Sequence, residues 1–159
     1  MIKMVRIDDR LIHGQVAVVW SKQLGIDRIV VANDSVANNP VQAATLKMAA
    51  PSNVKCNIMT VDDACAVLSD PRSKDMKVLV ITNNPADARA VCERARDIEL
   101  FDVGNYGLVA GATGKRKIAD TFYVDDEDAA NLKAIVELGI PSVYQLVPTI
   151  PAKQLSELL

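Results

Sequence analysis

Short, continuously apolar segments alternate along this chain with segments of helical periodicity, and this alternation constrains the fold more than any other feature. Arg28–Ala32 and Lys77–Thr82 are apolar at every position except at their ends. Strands without a polar face belong in a parallel sheet that helices cover on both sides. A sheet with one face in water would show alternating polar residues instead. The pattern therefore predicts an α/β fold.

Capping residues place helices between these strands. Asn39 and Asn84 each precede a proline, which is typical of an N-cap followed by the first helical position. Thr60 and Asp125 are also suitable N-caps, and Gly25 suits the end of the first helix. The predicted strands are Met1–Ile7, Arg28–Ala32, Val54–Met59, Lys77–Thr82, Glu99–Val103, Lys117–Val124 and Ser142–Val147. The predicted helices are Gln15–Leu24, 40–50, Val61–Leu68, 85–96, 126–138 and Pro151–Leu159.

This order of elements predicts one domain, residues 1–159, with a doubly wound α/β architecture. We expect about seven mainly parallel strands with helices on both faces of the sheet. No linker or change of composition divides the chain. The connector 104–114 lacks a helix, so the strand after it can be parallel or antiparallel.

Charge and cysteine content exclude several classes of protein. Against 20 Asp and Glu there are 18 Lys and Arg, and the formal net charge of −2 gives no broad basic surface for nucleic acid. The chain has one histidine and 3 cysteines without CxxC spacing, so we expect reduced thiols, no metal site and no cofactor. The apolar runs are too short to cross a bilayer, so we expect a cytoplasmic protein.

The end of the first strand and the loop after it hold the densest set of reactive side chains, namely Arg6, Asp8, Asp9, Arg10 and His13. Doubly wound sheets bind ligands at the carboxyl ends of their strands, where helices begin. An imidazole can carry a phosphoryl group if it is neutral, oriented by an acceptor and placed near cations. These residues, with the N–H groups of Gly14 and Gln15, can provide all three conditions.

Four positions in this loop or directly before it have structural interpretations as well. Arg6 lies on the same side of its strand as Asp8, and the two can form a buried ion pair with no role in chemistry. Gly14 would cost about 1 kcal/mol inside a helix, which favours an irregular loop over 9–14 whose backbone approaches another group closely. Leu11 and Ile12 can either contact a partner protein or begin the buried face of the helix.

Other functions fit the sequence less well. A receiver-type phosphoprotein could use Asp8, Asp9, Asp62 and Thr82, but it needs a lysine after the fifth strand, where this chain has Val103 and glycine. The segment 111–115 resembles a P-loop only faintly, because it lacks the first glycine and the final Ser or Thr. A nucleotide-binding or interaction module, with an incidental histidine, remains the second alternative.

The string VRIDDRLIHGQV at residues 5–16 resembles the phosphorylation-site segment of a known family. The family comprises the IIB components of the bacterial phosphoenolpyruvate-dependent sugar phosphotransferase system (PTS), mannose/fructose/sorbose type. The resemblance extends along the chain through Trp20 and the strings IVVANDSVANNP, DVGNYG and VELGIPSVYQLVP. It implies an α/β sheet of mainly parallel strands, as the pattern of elements also predicts.

The resemblance implies that His13 accepts phosphate on its δ nitrogen from a IIA phosphohistidine. The phosphate then passes to a sugar held by the membrane subunits IIC and IID, which is the activity of a protein-N(pi)-phosphohistidine–sugar phosphotransferase. Arg10 and Asp8 match the motif as catalytic partners, and Arg6, Asp9, Gly14 and Gln15 match it as the phosphate-binding loop. Asn105 and Tyr106 depart from it, since a second glycine is common there. The sugar and the oligomeric state, including a homodimer, stay open.

Overall fold

The computed structural model describes residues 1–108 and 114–159, and a mainly parallel sheet organises them. The strands are β1 (Ile2–Ile7), β2 (Arg28–Ala32), β3 (Lys55–Met59), β4 (Val78–Thr82), β5 (Phe101–Val103), β6 (Arg116–Ala119), β7 (Phe122–Val124), β8 (Ser142–Tyr144) and β9 (Lys153–Gln154). Seven of them form the sheet, in the order β3-β2-β4-β1-β5-β8-β9. Only the β8–β9 pair in this sheet is antiparallel. The predicted α/β class is confirmed.

Helices lie between the strands along the chain, and most begin where the capping signals predict. They are α1 (Gly14–Leu24), α2 (Asp34–Ala37), α3 (Pro40–Ala49), α4 (Val61–Ser69), α5 (Pro85–Arg94), α6 (Asp126–Glu137) and α7 (Leu155–Leu158). The side chains of Asn39, Thr60 and Asn84 each accept a hydrogen bond from the backbone N–H three residues later. Asp125 forms a capping box with Asp128 at the start of α6.

Two apolar cores, one on each side of the sheet, confirm that helices cover both faces. One core packs α4, α5 and α6 against the sheet, with Cys65, Val91 and Leu132 among its buried side chains. The other packs α1 and α3 against the opposite face around Trp20 and Leu46. Strands buried on both faces explain the continuous apolar runs in the sequence. Across the described residues, no helix has the length and apolar character needed to span a bilayer.

The structure differs from the prediction in three segments. The single strand predicted at Lys117–Val124 is wrong, because a turn splits it into β6 and β7, an antiparallel pair outside the main sheet. The helix predicted at Pro151–Leu159 is shorter, because Lys153 and Gln154 first add an edge strand to β8. The short helix α2, capped by Asn33, was not expected. Each difference depends on pairing or capping that apolar periodicity does not report.

The topology places the loop after β1 at the centre of one sheet edge. β1 lies between β4 and β5, and both pairings are parallel. The carboxyl ends of the three strands therefore meet around residues 8–13, directly before α1. This is the position in which open α/β sheets bind ligands.

Candidate functional site

Asp8 folds the loop that carries the candidate residues. Its carbonyl oxygen accepts a hydrogen bond from the N–H of Leu11 at 3.0 Å, and its Oδ1 accepts one from the N–H of Arg10 at 3.1 Å. Its own N–H donates to the carbonyl oxygen of Thr82 at 2.9 Å, which ties the loop to β4. These bonds form a tight turn whose geometry Asp8 sets.

The second carboxylate oxygen of Asp8 orients His13. Nε2 of His13 lies 3.3 Å from Oδ2 of Asp8, and the two side chains are 25% and 1% exposed. A carboxylate can only accept, so the neutral imidazole in this contact has its proton on Nε2 and its lone pair on Nδ1. The exposed fraction of the ring leaves it open to an incoming partner. In its neutral form, an imidazole held in this way presents the lone pair of Nδ1, which can act as a nucleophile.

Arg6 lies beneath this pair, with a side chain only 2% exposed. Its Nη1 donates to a carboxylate oxygen of Asp102 and, at 3.0 Å, to the carbonyl oxygen of Gln145. Its Nη2 donates to the carbonyl oxygen of Leu146 at 2.9 Å and lies 3.6 Å from Oδ2 of Asp8. The predicted Arg6–Asp8 pair is therefore present, but Asp102 is the closer partner of Arg6.

Asp102 is a site residue that the sequence analysis missed. It lies between Phe101 and Val103 in a fully buried strand, and its side chain is 0% exposed. Burial raises the pKa of its carboxyl group, while the Arg6 guanidinium and the N–H of Gln145 act to lower it. A signal was present in the sequence: an aspartate between two apolar strand residues must be buried and needs a cation, and the arginine in the first strand could supply it.

Two further residues make room for Arg6 and cover it. A Cβ at Gly104 would overlap the Arg6 guanidinium, so any larger residue there would displace the arginine. The ring of Trp20 covers the guanidinium carbon at 5.4 Å, and its indole N–H donates to the carbonyl oxygen of Leu146 at 3.1 Å. Trp20 thus couples α1 to the segment after β8.

The start of α1 adds backbone donors beside His13. The helix begins at Gly14, and His13 occupies the N-cap position without a side-chain capping bond. The first N–H groups of a helix lack intrahelical acceptors and carry partial positive charge, which suits phosphoryl oxygens. Gly14 has φ +42°, and among the described residues nothing lies within 4 Å of a Cβ built on it. Its backbone conformation accounts for the glycine, and the close approach expected from the sequence is not made to any described protein atom.

Arg10 and Asp9 occupy different environments. Arg10 is exposed, and its guanidinium forms no hydrogen bond or ion pair within residues 1–108 and 114–159. The N–H of Asp9 donates to the carbonyl oxygen of Asn105 at 2.8 Å, and its Oδ2 accepts from the N–H of Leu108 at 3.3 Å. Asp9 therefore fixes the segment that follows β5, while the Arg10 side chain can turn to an incoming anion.

The alternatives left by the sequence can now be compared with the geometry. Leu11 and Ile12 are 6% and 3% exposed and belong to the core under α1, so their interpretation as core residues is confirmed. Asp62, with a side chain 84% exposed, pairs with Arg94, whereas Asp8 pairs with His13. These contacts do not bring together the three carboxylates of a receiver site. Of the P-loop-like segment 111–115, residues 111–113 lie outside the described part of the chain.

Comparisons with known proteins agree with this geometry. The family model described as "PTS system sorbose subfamily IIB component" matches residues 2–159. This chain belongs to the sorbose subfamily of PTS IIB components.

Similar relatives and structures span the whole IIB chain. It is 38% identical over 162 residues to a protein of Streptococcus pyogenes named "Probable phosphotransferase enzyme IIB component", covering 100% of this chain and 99% of the relative. It is 31% identical over 159 residues to the mannose-specific EIIAB component of Escherichia coli K12, covering 100% of this chain and 48% of that protein. The crystal structure of the IIBSor domain of the Klebsiella pneumoniae sorbose permease superposes with a TM-score of 0.90 at 30% identity, covering 99% of this chain and 95% of that one. As a PTS IIB component, the protein is a phosphotransferase component of a sugar transport system.

Proposed function

We propose that this IIB component accepts a phosphoryl group on Nδ1 of His13 from the phosphohistidine of a IIA protein. It then passes the group to a sugar that the membrane subunits IIC and IID translocate. The contact between Nε2 of His13 and Asp8 carries this proposal, because it assigns the proton to Nε2 and the reactive lone pair to Nδ1. Arg10, whose side chain is exposed, precedes His13 by three positions in the loop, and α1 begins directly after His13.

The transfer step uses these groups in defined ways. The lone pair of His13 Nδ1 forms the new N–P bond while the P–N bond of the donor breaks. The donor ring, protonated on its other nitrogen, takes that electron pair and leaves as neutral imidazole. With Nε2 still protonated, the phosphorylated ring carries positive charge, which the Asp8 carboxylate stabilises. Phosphorylation adds close to two negative charges, and we assign Arg10 and the N–H groups of Gly14 and Gln15 to bind them.

The remaining parts of the proposal concern setting and partners. We assign the activity of a protein-N(pi)-phosphohistidine–sugar phosphotransferase to residues 1–159 acting as a single domain in the cytoplasm. Its membrane association runs through IIC and IID. The Escherichia coli relative, whose name covers both IIA and IIB, supports IIA as the donor. A homodimer is a further proposal, which light scattering of the purified protein would test.

Incubation with phosphoenolpyruvate, the general phosphotransfer proteins and a IIA protein tests the function directly. We expect a mass increase of one phosphoryl group that is lost in acid and retained in base, as for phosphohistidine. His13→Ala should abolish the increase and keep the circular dichroism spectrum. Phosphate acceptance by His13→Ala would refute the assignment of the residue. Loss of the group in base as well as in acid would instead indicate an acyl phosphate.

A further inference from the structure

Three charged side chains of the site are shielded from water together. Arg6, Asp8 and Asp102 have exposed fractions of 2%, 1% and 0%. One buried cation therefore faces two buried carboxylates, and each charge must be compensated inside the protein. Of the two, only Asp8 contacts His13. The way in which Arg6 divides its contacts between the two carboxylates therefore affects how Asp8 binds His13.

The geometry shows that Asp102 holds Arg6 more closely than Asp8 does. Arg6 and Asp102 are direct neighbours in the parallel register of β1 and β5, and their side chains are hydrogen bonded. The other oxygen of Asp102 accepts from the N–H of Gln145 at 2.9 Å. Asp8 lies 3.6 Å from the guanidinium, beyond a normal hydrogen bond. Arg6 thus gives its strongest contact to Asp102.

Asp8 makes its shorter polar contacts with groups other than Arg6. Its Oδ1 accepts from the N–H of Arg10 at 3.1 Å, and its Oδ2 faces His13 Nε2 at 3.3 Å. If Arg6 lacked another carboxylate partner, the nearest one would be Asp8. A direct Arg6–Asp8 bond would compete with His13 for Oδ2.

We propose that Asp102 is a positioning residue for phosphoryl transfer: it compensates the charge of Arg6 and so leaves the Asp8 carboxylate to orient His13. This inference rests on the proposed function for its catalytic consequence. The charged groups that face Asp102 are Arg6 on β1 and Asp8 in the next loop, and the β8 side contributes the backbone N–H of Gln145. Asp102 acts through them and does not touch the reacting ring.

Asp102→Asn tests the role, with Asp126→Asn as a control of equal charge change. The Asp126 side chain is 100% exposed and lies on α6. Removing the negative charge of Asp102 leaves Arg6 without its main partner, so the pKa of His13 should fall in nitrogen-15 NMR titrations. The rate of phosphate acceptance at saturating donor should fall on the order of ten- to a hundredfold, with little change in KM.

The control variant should match the parent protein in both measurements. A lower melting temperature of Asp102→Asn, with an unchanged His13 titration and an unchanged rate, would show a merely structural role and overturn the proposal. If the parent protein accepts no phosphate, the proposed function fails, but the His13 titration of Asp102→Asn still decides whether Asp102 acts on the ring.

A measurement on the parent protein covers the case in which Asp102→Asn does not fold. Carboxyl carbon-13 NMR follows the ionisation of Asp102, whose pKa burial raises. We expect the His13 ring nitrogens to show an additional inflection at the pH where the Asp102 carboxyl titrates. His13 nitrogens that do not respond to Asp102 ionisation would overturn the coupling.

Discussion

At the residue scale, Asp8 uses each of its polar atoms. Its N–H and carbonyl oxygen bond to Thr82 and Leu11, and its two carboxylate oxygens contact Arg10 and His13. One residue therefore anchors the loop to the sheet, closes the turn and orients the imidazole. The adjacent Asp9 instead holds the segment after β5. The two aspartates of the motif thus have separate roles that their identical chemistry does not reveal.

Arg10→Lys tests the role of the guanidinium fork at this scale. Lysine keeps the charge but loses the bidentate geometry that matches phosphoryl oxygens. Phosphate acceptance should slow on the order of ten- to a thousandfold, about 1.4–4 kcal/mol in the barrier. Stopped-flow or quench-flow transfer from phosphorylated IIA measures the rate. Arg72→Lys, at a side chain 90% exposed, is the matched control and should transfer at the normal rate.

Arg6→Met tests the buried charge cluster. The substitution removes the cation and leaves Asp102 and Asp8 buried without it, so the free energy of unfolding should fall by about 3–5 kcal/mol. Urea denaturation followed by circular dichroism gives the value. Arg10→Met should change stability by less than about 0.5 kcal/mol, because that side chain is exposed. Equal stability losses in the two variants would contradict the importance of the cluster.

At the element scale, the loop and α1 work together as one unit. The helix begins at Gly14, directly after His13, and Trp20 on its buried side covers Arg6. The glycine takes a left-handed φ at the start of α1, and Gly25 takes another at its end. The first conformation directs the chain from the loop into the helix, and the second ends the helix.

Gly14→Ala and Gly25→Ala form a matched pair that separates strain from function. Both glycines have positive φ, and no described atom lies within 4 Å of a Cβ built on either one. Each alanine should destabilise the fold by roughly 1–2 kcal/mol through backbone strain alone. Only Gly14→Ala should also slow phosphate acceptance, because it alters the N–H groups beside His13. Equal transfer rates in the two variants would contradict that role for the start of α1.

At the scale of the whole molecule, the sheet separates two cores, and both contain residues that the site depends on. Leu11, Ile12 and Trp20 belong to the core under α1. Val103 and Tyr106, on either side of Gly104, belong to the core on the other face. The loop is therefore held by packing on both faces of the sheet. Within it, His13 stays partly exposed.

The reactivity of the three cysteine thiols tests how tightly the two cores are packed. Cys65 and Cys92 are buried and Cys56 is partly exposed, and burial raises the pKa of Cys92 to about 12. Thiolate is the reactive form, so iodoacetamide should modify Cys56 first and Cys92 only on global unfolding. Mass spectrometry of timed samples at pH 8, with a urea-denatured control in which all three react, checks the order. Native-state alkylation of Cys92 as fast as that of Cys56 would contradict the packing.

The sequence by itself determined the features that local signals encode. Apolar runs and capping residues predicted the α/β class and the starts of most helices, and the loop 8–14 was recognisable from its own residues and from the family motif. Tertiary structure decided that Asp102 is the main partner of Arg6, which is 96 positions away in the chain. It also brought the carbonyl oxygens of Gln145 and Leu146 to the same guanidinium. A cap or a periodicity involves residues within a turn or two of each other, whereas these contacts depend on strand order and register, which only the folded sheet fixes.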